Sequence, residues 1–131
     1  MKKIIALVAV VAMFAAFSMS TVGKKLPSVG YVLVGPHTDG GWSMRHHDGF
    51  QSLTKHGYKV GMVEMVPEAE STKIFNKLAR KHDIVFATSF GYMDGMEKAA
   101  KKNPDTIFMH ATGYKGNDTN TKSCKHCNHR H

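Results

Sequence analysis

Between Val29 and Thr112 the chain alternates short apolar runs with amphipathic stretches, and this alternation constrains the fold more than any other feature. Val29-Gly30-Tyr31-Val32-Leu33-Val34 reads as a buried strand, Val60 to Val66 as a second closed by Pro67, Ile84 to Ala87 as the heart of a third, and Thr106 to Thr112 as a fourth. Between them lie helical patterns. One runs from a Ser43 cap to about His56, turns Phe50 and Leu53 inward, and ends at Gly57. A second starts at Ser71 or Thr72, runs through Lys81, and carries Ile74, Phe75, Leu78 and Ala79 at the spacing of a buried stripe. A third spans about Met93 to Lys102, before the stop signal Asn103-Pro104. Strands that are apolar on both faces and separated by helices form a parallel sheet covered on both sides. The expected fold class is therefore α/β, with a doubly wound, Rossmann-like sheet of about four strands.

The length of 131 residues limits the chain to one domain. Residues 1–20 have the layout of a secretory signal: Lys2 and Lys3 precede an apolar run from Ile4 to Phe17, and small residues follow. The run is short for a membrane span, which favours a cleaved leader over an anchor. No cysteine follows it, so the sequence does not read as a lipoprotein, and the expected location is the periplasm or the outer face of the plasma membrane. Residues 21–28 read as a linker, 29–115 as the folded part, and 116–131 as a disordered tail rich in Cys and His. The net charge of +8 is scattered, with lysines gathered at helix ends as in Lys77-Arg80-Lys81 and Lys98-Lys101-Lys102. There they complement the helix dipole, which reads as a solvated face and not a nucleic-acid surface. Both cysteines, Cys124 and Cys127, lie in the last eight residues, so disulfides do not hold the fold.

In sheets of this kind ligands bind outside the C-terminal ends of the strands. That selects four loops: Gly35 to Trp42, Pro67 to Ser71, Ser89 to Asp94, and Gly113 to Lys115. The first lacks the glycine and lysine spacing of a phosphate loop. Its glycines, Gly40 among them, admit close approach of a ligand. Trp42, the only tryptophan, offers a face for a flat base or sugar, or packs beneath the first helix. In the third loop Phe90 and Tyr92 flank Gly91, and Asp94 either accepts ligand hydrogen bonds or caps the third helix. No nucleophile–base pair or paired carboxylates stand out, which argues against an enzyme.

Four blocks, VLVGPHTDGGWSMRHHDG from Val32, VEMVPE from Val63, IVFATSFGYMD from Ile84 and HATGYK from His110, resemble consecutive segments of the basic-membrane-protein, or purine-nucleoside-receptor-like, family. These are solute-binding proteins of ABC importers with the type I periplasmic-binding fold. The resemblance covers about Val29 to Lys115 and implies a partial lobe of that fold, with no cofactor. It implies a purine base or nucleoside as solute and an ABC permease as partner. It also implies ligand contacts by Asp39, Gly40, Trp42, His46, Phe90, Gly91 and Tyr92, to which the reading of the third loop adds Asp94. The chain departs from the family pattern at Thr38, Phe50, Met65 and Met109, where a glycine, a basic residue, an asparagine and an acidic residue are usual. After Lys115 the expectation is a truncated copy without a second lobe. The alternative is a small exported metal-binding protein working through Cys124, Cys127, His129 and His131, whose residue types suit zinc or copper. A chance tail is favoured over that alternative, because all four lie within eight residues and join no distant segments.

Overall fold

The computed structural model describes residue 23, residues 25–116 and residues 119–124. The leader and the tail residues Cys127, His129 and His131 lie outside the described residues, as does the side chain of Cys124. The elements in chain order are β1 (Val29–Val32), α1 (Trp42–Lys55), β2 (Val60–Val63), α2 (Ser71–Ala79), β3 (Ile84–Ala87), α3 (Met93–Lys102), β4 (Ile107–Ala111) and β5 (Thr121–Cys124). Single turns of 3-10 helix at Glu68–Glu70 and Phe90–Tyr92 lead into α2 and α3.

All five strands pair in parallel in the order β2-β1-β3-β4-β5. Residues alternate between the two faces, as the pleat requires. Val32, Val85, Ala87 and Phe108 meet Phe75 and Leu78 of α2 and Met96, Ala99 and Ala100 of α3 in the main core. A fully buried apolar side chain of this size stabilises the fold by about 1.5–3 kcal/mol. On the other face Phe50 of α1 stacks on Tyr31 at 4.2 Å and meets Phe86 edge-on at 5.1 Å. Only one helix covers this face among the described residues, so Phe50 and Leu53 are half-buried and Met62 is exposed.

Two sequence expectations need correction. Ser43 does not cap α1 through its side chain. It is fully buried, and its Oγ accepts from Gly35 N. The capping group is Asp39, whose carboxylate accepts the backbone N–H groups of Gly41, Ser43 and Met44 at 2.8, 2.9 and 3.0 Å. These contacts pull its pKa down to about 2. The second correction concerns the polar stretch expected to be structureless from residue 116, because it supplies β5 and makes the sheet five-stranded. The buried Asn120 accounts for it. Its Nδ2 donates to the carbonyl oxygens of Ala100, Asn103 and Thr106 at 3.0, 3.1 and 3.1 Å. Its own carbonyl accepts from Phe108 N at 2.7 Å. Composition gives a polar segment no packing energy, but side-chain bonds to backbone supply the order here.

Candidate functional site

The four loops selected by topology gather at the C-terminal edge of the sheet, and so do most of the exposed large apolar side chains. Val34, Trp42, Met65, Phe90 and Tyr114 belong to this edge, with exposures from 39% at Trp42 to 64% at Met65. The Phe90 and Tyr114 rings face each other at 6.0 Å. A groove of about 310 Å³ runs past them, bounded also by Glu68, Asp94 and Lys115. A second, of about 360 Å³, lies between Val34, Pro36, Met65 and Pro67.

The first loop turns at Gly40, whose φ of +71° suits a residue without Cβ, and the space around it is open. Trp42 opens α1, and its Nε1 donates to the Thr88 carbonyl at 2.7 Å, so the indole is held against the end of β3 with part of its surface open. His46, one turn on, lies 4.3 Å from the indole and bonds through Nδ1 to the Trp42 carbonyl at 2.8 Å. Further along the edge, Glu64 Oε2 accepts from His37 N at 2.8 Å and lies 2.7 Å from His37 Nδ1. These contacts lower the Glu64 pKa. The His37 ring stands 4.9 Å from that of His47, whose Nδ1 is 2.8 Å from the Tyr31 hydroxyl. Among the described residues no three His, Cys, Asp or Glu side chains meet as a metal site.

The structure separates the eight residues expected as ligand contacts. Trp42 and His46 stand together, and Phe90 pairs with Tyr114. Tyr92 turns the other way. It is fully buried, meets Phe75 edge-on at 5.7 Å, and donates its hydroxyl to the Val66 carbonyl at 2.6 Å. Burial, with a smaller effect of Glu68, pushes the phenol up to about 12. It therefore offers no surface to a ligand in this conformation. A Cβ on Gly91 would run into the Glu68 carboxylate, so the backbone there lies directly against that side chain. Asp94 neither caps α3 nor stands free: Lys115 donates to it, and that bond lowers the Asp94 pKa and raises that of Lys115. Asp39 is committed to the start of α1.

Tyr114, Glu68 and Thr88 were not singled out from the sequence, although Tyr114 and Glu68 lie on the loops that topology selects. An exposed aromatic in such a loop was the available signal for Tyr114. Nothing local marks Thr88, whose part is played by a backbone oxygen.

Residues 26–129 match the family described as Bmp, ABC transporter substrate-binding protein PnrA-like. The match extends beyond Lys115, past the four blocks that carry the resemblance. A purine-binding protein of Brucella abortus (strain 2308) is 42% identical over 95 residues, which are 69% of this chain and 27% of that protein. A Haloferax volcanii protein, provisionally named for glucose binding in an ABC transporter, is 34% identical over 88 residues, 65% of this chain and 22% of its own. The chain thus spans about a quarter of the length of these relatives. In structure it is similar to an ABC transporter solute-binding protein of Conexibacter woesei DSM 14684, with a TM-score of 0.64 at 17% identity over 75% of this chain and 34% of that one. A solute-binding protein of Aeropyrum pernix K1 gives 0.62 at 18% identity over 74% and 28%. The family is one of solute binding and not of catalysis, in keeping with a parallel α/β sheet that presents aromatic side chains at its carboxyl edge. The chain belongs to the Bmp family of PnrA-like ABC transporter substrate-binding proteins.

Proposed function

We propose that residues 29–115 form one wall of the solute site of an exported ABC-importer binding protein, and that the solute is a purine base or nucleoside. The observation that carries this reading is the exposed Phe90–Tyr114 pair at the carboxyl edge of the sheet, where a flat ring can stack. The similarity to a protein named for purine binding supports the choice of purine. The leader-like residues 1–20 support export, and a permease is the expected partner. No helix among the described residues is long and apolar enough to cross a membrane.

A single wall buries only part of a base. Stacking contributes about 1–3 kcal/mol per base, which the entropy cost of association largely offsets. This chain alone therefore binds adenosine weakly, with Kd above roughly 100 µM. The test is a titration of ¹⁵N-labelled protein with adenosine and, in parallel, glucose. Adenosine should shift the amides of Phe90 and Tyr114 and the Trp42 indole, and Phe90→Ala should abolish the effect. Stronger shifts with glucose, or none with adenosine at millimolar concentration, would overturn the purine assignment. Micromolar affinity would overturn the one-wall argument.

A further inference from the structure

His110, in the interior of the sheet, has no part in the wall itself. It is 1% exposed at the C-terminal end of β4, beside Ala87 of β3 and Ser123 of β5 in register. Among the described residues neither ring nitrogen has a partner of good hydrogen-bond geometry. A polar ring buried without such partners costs free energy, so its presence calls for a role in the packing that offsets the cost. Two observations show that place. A Cβ on Gly113 would run into the imidazole, so the loop after β4 rests directly on the ring. On the other side Ala87 of β3, two residues before Ser89, pairs with His110, so the loop after β3 leaves the sheet beside the ring. The loop above is bent sharply, with Thr112 at φ +67°. Tyr114 follows Gly113, and Phe90 follows Ser89.

We propose that His110 is a positioning residue that supports both aromatic-bearing loops from beneath and so sets the Phe90–Tyr114 pair. The role as part of a solute site rests on the reading above, but the mechanical coupling does not. One loop rests on the ring and the other leaves its strand beside it, so a change in that ring reaches Phe90 and Tyr114 together, although 24 residues separate them in the chain. Protonation is such a change. Among the described residues the charged groups on the packed elements are Asp94, Glu97, Lys98, Lys101 and Lys102 on α3 and Lys115 and Lys122 on the chain after β4. None of them contributes to the shift of His110, so no charged side chain among them offsets an imidazolium there. Burial holds its pKa below the ordinary 6.5, partly opposed by the Ser89 backbone.

The test needs no ligand. In ¹⁵N spectra between pH 8 and 5.5, the amides of Ser89, Gly91, Gly113 and Tyr114 should move together with one midpoint below 6.5, shared with the His110 ring. His110→Gln should remove that midpoint. Gly113→Ala should displace the Ser89 and Gly91 amides, although the substitution lies in the other loop. Should His110→Gln not fold, the wild-type titration and Gly113→Ala still decide. Separate midpoints for the two loops, or a Gly113→Ala effect confined to residues 111–115, would overturn the proposal. A failed adenosine titration with these couplings intact would sink the purine reading alone.

Discussion

The indole N–H of Trp42 donates to the carbonyl oxygen of Thr88 at 2.7 Å, across 46 residues of sequence, and thereby ties the start of α1 to the end of β3. Two of the loops at the carboxyl edge are joined by this bond. Trp42→Phe keeps an aromatic ring and removes the donor. The expected loss is about 0.5–1.5 kcal/mol, read as a lower urea midpoint at unchanged slope by circular dichroism. An unaltered midpoint would show that the bond adds nothing to stability.

The His82 ring lies over two glycines of adjacent strands. A Cβ at Gly30 would come within 2.8 Å of it and one at Gly61 within 2.7 Å. Gly30→Ala should therefore cost about 1–3 kcal/mol through overpacking. Most of that cost should vanish in a His82→Ala background, which a double-mutant cycle measures. Burial, and next Lys59, hold the His82 pKa below 6.5. The unfolded chain takes up the proton first, so stability should fall as pH drops through about 6.5. His82→Ala should flatten that part of the profile.

Met65 adopts φ +55° with its side chain 64% exposed. The left-handed region costs an ordinary side chain about 1–2 kcal/mol, and asparagine tolerates it better. It is also the residue for which Met65 stands in the family pattern. Met65→Asn should stabilise the chain by about 1 kcal/mol, raising Tm by several degrees in a thermal melt. A lower Tm would mean that the methionine makes compensating contacts in the adjacent groove.

Asp39 has a pKa of about 2 in the fold against 3.8 in a free chain, because three backbone N–H groups point at its carboxylate. Its stabilising contribution is present above 3.8 and disappears as pH falls toward 2. Asp39→Asn should therefore be less stable than wild type at pH 5, and the gap should narrow between pH 4 and 2. Denaturant midpoints across that range test this, and a gap independent of pH would refute the capping role of the charge.

The order of strands and helices from Val29 to Thr112, and the end of the sheet that carries the exposed aromatics, were legible in the sequence. Apolar periodicity, Gly57 and Pro67 are local signals, and parallel βα units put their loops at one edge whatever the details. The resemblance in four ordered blocks supplied the family. Tertiary structure decided the rest. It turned Tyr92 into the core, where Val66 offers an acceptor, and left Phe90, two residues before it, outside; two aromatics in one turn carry no local mark of which is buried. It made Asp39 the cap of α1 in place of Ser43, because the loop folds back over the helix start. It drew a polar stretch into β5 through three carbonyls that Asn120 finds on distant segments. The Tyr92 and Asn120 outcomes depend on partners far away in sequence, where pattern and propensity are silent, whereas the Asp39 cap is local and turns on the path the loop takes before the helix.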